Sequence, residues 1–344
     1  MPWFDLPLAS LREHHTAAEE PPGLGGWWAE RVDEARAAAR PPEVTHYATD
    51  AYGPLHAYDV EFSGARGDRI RGWYLRPAGA GDARLPLVVQ FIGYGGGRGL
   101  PASHSLFPSV GYAAFVMDTR GQGGRWTVGA TGDLAPGPEY STVMTRGIAS
   151  PEDYYYTRLY VDAVRAVETA AGFADVDDSR VAVSGASQGG ALALASAALL
   201  GDRITVCHAD VPFLCDIQRA VTLTASMPYA EVAEFLAHQV DLEHVAMDTL
   251  SYVDCALLAR RITADCLVSV GLMDDVCPPS TVFAAYNEIP GDAKDIAVYP
   301  YSGHDVPPVH DERKLRHLRE HLPALLPGGT HQPPDPTLWA SRLL

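Results

Sequence analysis

The residues of this chain best suited to chemistry gather around one serine. Ser187 stands in Gly185-Ala186-Ser187-Gln188-Gly189, preceded by the apolar run Val181–Ser184 and followed by the Ala- and Leu-rich stretch Gly189–Leu200. A strand that turns sharply into a helix through Gly-x-Ser-x-Gly lifts the serine hydroxyl above a sheet. The flanking glycines let neighbouring backbone pass without a Cβ clash. The helix start adds backbone N–H groups and a positive dipole end, the setting that stabilises an oxyanion. The five-residue pattern alone is weak, and a strand–turn–helix with an unreactive serine is the bland alternative. Ser184, just upstream, is read that way. The strand before and the helix after decide for Ser187 as a nucleophile.

A serine hydroxyl is inert at neutral pH without a base, so a histidine must join it. Of thirteen histidines, His304 in Tyr301-Ser302-Gly303-His304 directly follows the last predicted strand, where a loop can carry it over Ser187. His310 lies further along that loop and is the runner-up. His317 and His321, four apart on a charged helix, have the spacing of a metal pair but no acidic partner motif, and read as a solvated face. The orienting acid should follow the preceding strand, where Gly271-Leu272-Met273-Asp274-Asp275 offers two adjacent aspartates. Spacing does not choose between Asp274 and Asp275. One oxyanion donor is expected from the Gln188 N–H and a second from the loop Gly93–Gly99, whose glycines lack the Gly-Lys-Ser/Thr ending of a phosphate cradle. This chemistry calls for no metal and no cofactor.

The elements that must hold these residues are also legible. Leu87–Ile92, Ala113–Met117, Val181–Ser184, Thr205–His208, Leu267–Val270 and Ile296–Tyr299 are short apolar runs, the pattern of parallel strands covered on both faces. Helical stretches alternate with them: Gly189–Leu200, Glu312–Leu326, and one through Val161, Val164 and Val167 that Ser150-Pro151-Glu152-Asp153 is expected to start. Strands alternating with helices predict an α/β fold, a doubly wound and mostly parallel sheet. Before it come a hairpin, Tyr58–Phe62 with Ile70–Leu75, and a helical N-terminal arm over residues 1–45. In the arm, Leu6, Leu8 and Leu11 come first and Trp28, Val32 and Ala35 follow at helical spacing, with Trp27 alongside. Residues 123–149 read as a long irregular loop, 212–262 as a helical insert capping the strand ends, and 327–344 as a Pro-rich tail. Residues 1–326 are thus expected to form one domain.

Composition narrows the partners. The chain has 344 residues and a formal charge of −17, so its surface repels phosphate backbones and nucleic acid is an unfavourable partner. Five cysteines, an odd number without Cys-x-x-Cys spacing, and a start lacking a signal-peptide pattern predict reduced thiols in a cytoplasmic protein. No apolar run reaches the ~18 residues of a membrane span.

Several longer stretches match a known pattern: Phe4-Asp5-Leu6-Pro7-Leu8, Gly93-Tyr94 through Gly99, Met117-Asp118-Thr119-Arg120-Gly121-Gln122-Gly123, and Pro151-Glu152-Asp153-Tyr154-Tyr155-Tyr156. With them go the Ser187 elbow, Asp210-Val211-Pro212-Phe213-Leu214-Cys215, Gly271-Leu272-Met273-Asp274 and Pro278-Pro279-Ser280-Thr281-Val282-Phe283. Over about residues 1–325 the chain resembles carbohydrate esterase family seven, the acetyl xylan esterases and cephalosporin-C deacetylases, which have the α/β-hydrolase fold. The resemblance implies a triad of Ser187, Asp274 and His304, with Tyr94 and Gln188 as backbone oxyanion donors. It implies that Arg120, Gly121 and Gln122 brace the site. It further implies metal-free hydrolysis of acetyl esters of sugars and of cephalosporin C, and an intracellular hexamer with 123–149 at its interface. Tyr94, Phe213 and Val276, stiffened by Pro212 and Pro279, are then expected to line a small acyl pocket. The chain departs from the family at Asp305, usually Glu, and over Asp305–Asp311 with Pro307-Pro308, which alters the rim on the alcohol side.

Three rival readings compete with this one. The acetylated alcohol could be a natural product rather than a xylo-oligosaccharide. A serine peptidase of the same fold usually carries a large N-terminal propeller, for which the stretch before Leu87 is too short. A non-catalytic binding protein would show a broken triad, whereas this one is complete and in order. Light scattering at micromolar concentration should report an assembly far above the 37.0 kDa chain mass. A monomer would contradict the expected closed oligomer.

Overall fold

The computed structural model describes residues 3–47, 52–133 and 143–324. Among these, nine strands form one sheet in the order β1-β2-β3-β5-β4-β6-β7-β8-β9. They are β1 Glu43–His46, β2 Leu55–Ser63, β3 Arg69–Pro77, β4 Leu85–Phe91, β5 Ala113–Met117, β6 Val176–Ala186, β7 Val206–Asp210, β8 Asp265–Gly271 and β9 Lys294–Tyr299. The first three and β5 pair antiparallel, and from β5 to β9 every pair is parallel. Each residue of β5 and β7 is buried, as strands covered on both faces require. Alternate residues serve opposite cores: Leu87 and Val89 of β4 pack with one cluster, and Val88 between them packs with the other.

Helices Tyr155–Ala171 and Gln188–Leu200 line the first face, and Val309–His321 covers the second through Leu318. Helices Ile217–Leu223, Tyr229–His238, Glu243–Ser251 and Cys255–Leu258 fill the insert between β7 and β8. In the arm, helix Leu24–Ala37 buries Leu24, Trp28, Val32 and Ala35. Trp28 stacks on Tyr160 at 5.8 Å between ring centroids and donates its N–H to the Tyr252 carbonyl at 2.9 Å. Farther forward, Asp5 accepts the Ser280 N–H at 2.7 Å and Arg219 Nη2 at 3.1 Å. The arm thereby supplies the cap for helix Pro279–Glu288, whose own N-cap is the capless Pro278.

Two expectations need correction. Ser150-Pro151 does not begin the helix, which starts at Tyr155. Ser150 Oγ bonds Glu152 Oε2 at 3.2 Å instead of capping, and Trp27 Nε1 reaches Glu152 Oε1 at 3.1 Å. Gly147, at φ +75°, lets the turn fold so tightly that a Cβ there would lie 2.4 Å from the Asp153 carbonyl oxygen. Tertiary partners have outbid a local helix signal. The arm, moreover, ends in an edge strand from Glu43, not in helix or loop alone. Within the loop at 123–149, residues 134–142 lie outside the described residues, as does the tail at 327–344.

Just past the end of β5 sits a buried ionic cluster. Arg120 is fully buried, clamped by Asp162 through Nε at 2.5 Å and Nη2 at 2.7 Å, and bonded to Asp68 at 2.8 Å. Burial opposes its charge, but Asp162 and Asp68 outweigh that effect and hold the guanidinium protonated. Losing one member of such a cluster typically costs about 3–5 kcal/mol, because the remaining charge is left buried and unpaired.

Candidate active site

At the end of β6 the chain reverses into helix Gln188–Leu200 through Ser187, whose backbone sits at φ +57°, ψ −119°. Its N–H donates to the Asp210 carbonyl at 2.8 Å, and its carbonyl accepts from the Phe213 N–H at 3.0 Å. Both glycines of the turn are sterically obligatory. A Cβ on Gly185 would lie 2.3 Å from the Gly189 carbonyl oxygen, and one on Gly189 2.3 Å from that of Phe91.

The loop after β9 brings His304 over this turn, with Nε2 2.9 Å from Ser187 Oγ. Its Nδ1 lies 2.8 Å from Asp274 Oδ2. Asp274 is fully buried, and its Oδ1 accepts the N–H groups of Val276 at 2.8 Å and Cys277 at 2.9 Å. Those two bonds fix the carboxylate on a loop, leaving the second oxygen for the imidazole. Asp275 turns the other way, to Ser226 Oγ at 2.8 Å. Cys277 stands close by, but burial and then the Asp274 charge push its thiol pKa up, so it stays protonated and inert.

His310 does not reach Ser187. It is buried, with Nε2 2.7 Å from Asp210 Oδ1 and Nδ1 2.9 Å from the Tyr299 hydroxyl. Lys314 completes this cluster on Asp210 Oδ2 at 2.8 Å. Asp210 thus holds the elbow through its carbonyl and the helix following the His304 loop through its carboxylate. His317 is half-buried and meets the fully buried His208 at 3.2 Å, whereas His321, one turn on, is exposed, so only part of that side is solvated. Among the described residues, no group of three or more His, Cys, Asp or Glu is arranged to hold a metal ion.

The brace is more specific than a packing contact. Gln122 Oε1 accepts the Gly95 N–H at 2.6 Å, while its Nε2 donates to Gln188 Oε1 at 2.8 Å and to the Tyr155 hydroxyl at 2.9 Å. Gln188 is itself held by the Tyr156 hydroxyl at 3.0 Å and donates to the Ile92 carbonyl at 3.1 Å. One side chain therefore couples the Gly93–Gly99 loop to the residue after Ser187. Gly121, at φ +61°, permits the bend between Arg120 and Gln122.

Tyr94 donates its hydroxyl to Glu231 Oε1 at 2.6 Å. Burial first, then Glu231, push the phenol pKa up, so it remains a donor. Glu231 was not singled out from sequence. An acid in the first turn of helix Tyr229–His238 looks like an ordinary favourable end charge, and nothing local signals its buried partner. Phe213 is fully buried against Tyr229, 4.4 Å away between ring centroids, and Val276 is half-buried beside Asp274.

A serine at a tight strand-to-helix turn, over a mostly parallel sheet flanked by helices, defines this protein as an α/β-hydrolase fold. The acetyl xylan esterase (AXE1) family model matches residues 1–321, and the chain belongs to that family. It is similar to the solved acetyl xylan esterase from Paenibacillus sp. R4, at 35% identity and TM-score 0.85, covering 92% of this chain and 100% of that one. Acetyl xylan esterase 1 from Thermoanaerobacterium sp. JW/SL YS485 is similar at 32% identity and TM-score 0.84, covering 92% and 99%. Acetyl esterase Axe7A of Xylanibacter ruminicola is 28% identical over 295 residues, 83% of this chain. The chain spans 64% of the length of that curated relative.

The two aspartates make the arrangement testable. Asp274→Asn should lower kcat for an acetyl ester by roughly a thousandfold or more, as expected for an imidazole left in the wrong tautomer. Asp275→Asn should cost far less. A crippled Asp275 variant beside an active Asp274 variant would reverse the assignment.

Proposed function

We propose that this protein is a serine esterase that removes acetyl groups from acetylated sugars such as xylo-oligosaccharides, and from small molecules of the cephalosporin-C type. The observation that carries the reading is the unbroken relay from Asp274 through His304 to Ser187 in a chain of the acetyl xylan esterase family. In the first step His304 Nε2 takes the Ser187 proton and Oγ attacks the acetyl carbonyl carbon. The N–H groups of Gln188 and Tyr94 stabilise the oxyanion. Collapse breaks the bond to the alcohol, which leaves with the proton from His304. Water, deprotonated by His304, then attacks the acetyl-enzyme, and acetate leaves as Ser187 regains its proton.

Tyr94, Phe213 and Val276 are proposed as the acyl wall. The Phe213–Ser187 backbone bond and the Tyr94–Glu231 bond support a rigid one. We further propose a cytoplasmic homohexamer. Five buried free cysteines favour a reducing compartment. Among the described residues, no helix is long and apolar enough to cross a membrane.

A methylene that a rigid pocket cannot admit costs about 10–200-fold in rate. Acetyl esters should therefore be cleaved well ahead of butyryl esters, and octanoyl esters hardly at all, when kcat/KM is compared on one leaving group. Butyrate matching acetate would exclude the small pocket.

A further inference from the structure

Trp126 is largely exposed beside the Gly93–Gly99 loop; of the other described indoles only Trp3, at 62%, is comparably exposed, and it bonds the Pro300 carbonyl instead. Trp28 and Trp73 are buried, at 1% and 5% exposure, whereas Trp126 is 58% exposed. Yet it is not loose. Its Nε1 donates to the Tyr94 carbonyl at 2.9 Å. Its six-membered ring lies so close to the loop that a Cβ on Gly96 would sit 2.3 Å from Cζ2 and 2.6 Å from Cε2. Gly93 joins this seat to the reaction centre: its Cβ position would be 3.6 Å from Trp126 Cζ2 and 3.7 Å from the carbonyl of Ala186, the residue before Ser187. The loop is thus built to receive an indole edge and to leave much of the ring in solvent, with Gly93 between it and the strand end that carries the nucleophile.

We propose that Trp126 is the platform on which the sugar ring of the ester stacks, an inference that rests on the acetyl-sugar esterase reading above. With the acetyl group directed into a closed wall, the alcohol must lie on the solvent side of Ser187, where Trp126 stands. A sugar ring carries C–H bonds polarised by neighbouring oxygens on one face. These meet the electron-rich face of the indole favourably, while the hydroxyls at the ring's edge stay hydrated. Stacking also removes apolar area of both partners from water. A formal charge of −17 suits a neutral alcohol better than an anionic one. The hydrogen bond to Tyr94 fixes the ring plane before substrate arrives, which limits the ordering cost of binding.

The test compares an acetylated xylobioside with ethyl acetate, an ester too small to span the platform, in the wild-type protein and in Trp126→Ala and Trp126→Phe. Trp126→Ala should lower kcat/KM for the sugar ester about tenfold more than for ethyl acetate, mainly through KM. Trp126→Phe, which keeps an aromatic face but loses the N–H, should recover most of that discrimination. Equal losses on both esters, or a Phe variant no better than Ala, would overturn the platform in favour of a latch on the oxyanion loop. A wild-type protein that cleaves neither ester would instead overturn the esterase reading itself.

Discussion

Ser187 occupies a backbone conformation that side-chain-bearing residues rarely adopt, at φ +57° and ψ −119°. Such a residue costs on the order of 1–3 kcal/mol and persists only where its surroundings over-determine it. Here they do so through the Asp210 carbonyl, the Phe213 N–H and two glycine contacts with no room for a Cβ. Ser187 is partly exposed in this conformation, while Asp274 stays buried. Every other feature of the site is arranged around that fixed point.

Three separate chain segments answer to it. Asp210 joins β7 to the helix that follows the His304 loop, because its carboxylate binds His310 and Lys314. Gln122, held in place by the Arg120 clamp two residues earlier, joins the glycine loop to Gln188. The N-terminal arm caps helix Pro279–Glu288 through Asp5, and that helix follows directly on the Asp274 loop. Polar groups in a low-dielectric interior are costly unless satisfied, and satisfied ones fix geometry. This is how a loop-borne site becomes rigid.

Much of this was legible before the structure. The parallel strands announced themselves as apolar runs because both their faces are covered, and the elbow stood out because an apolar strand precedes its glycines and a helix follows them. What escaped were features set by distant partners. Helix Tyr155–Ala171 starts late because Glu152 is engaged by Trp27, more than a hundred residues away. Strand β1 gives no periodic signal because all four of its residues are exposed. Glu231 resembles any first-turn acid until Tyr94 is placed against it. Asp274 and Asp275 are adjacent and chemically identical, and only the turn that gives one of them the Val276 and Cys277 N–H groups separates them.

Ser187, paired to His304 and through it to Asp274, is proposed as an activated nucleophile. A fluorophosphonate phosphonylates such a serine and leaves ordinary hydroxyls untouched. Intact-mass measurement followed by peptide mapping should find one adduct per chain, on Ser187, and none in Ser187→Ala. Labelling should also collapse in His304→Ala, where the hydroxyl remains but its base is gone. No adduct on the wild-type protein, or an adduct mapped to another residue, would contradict the account.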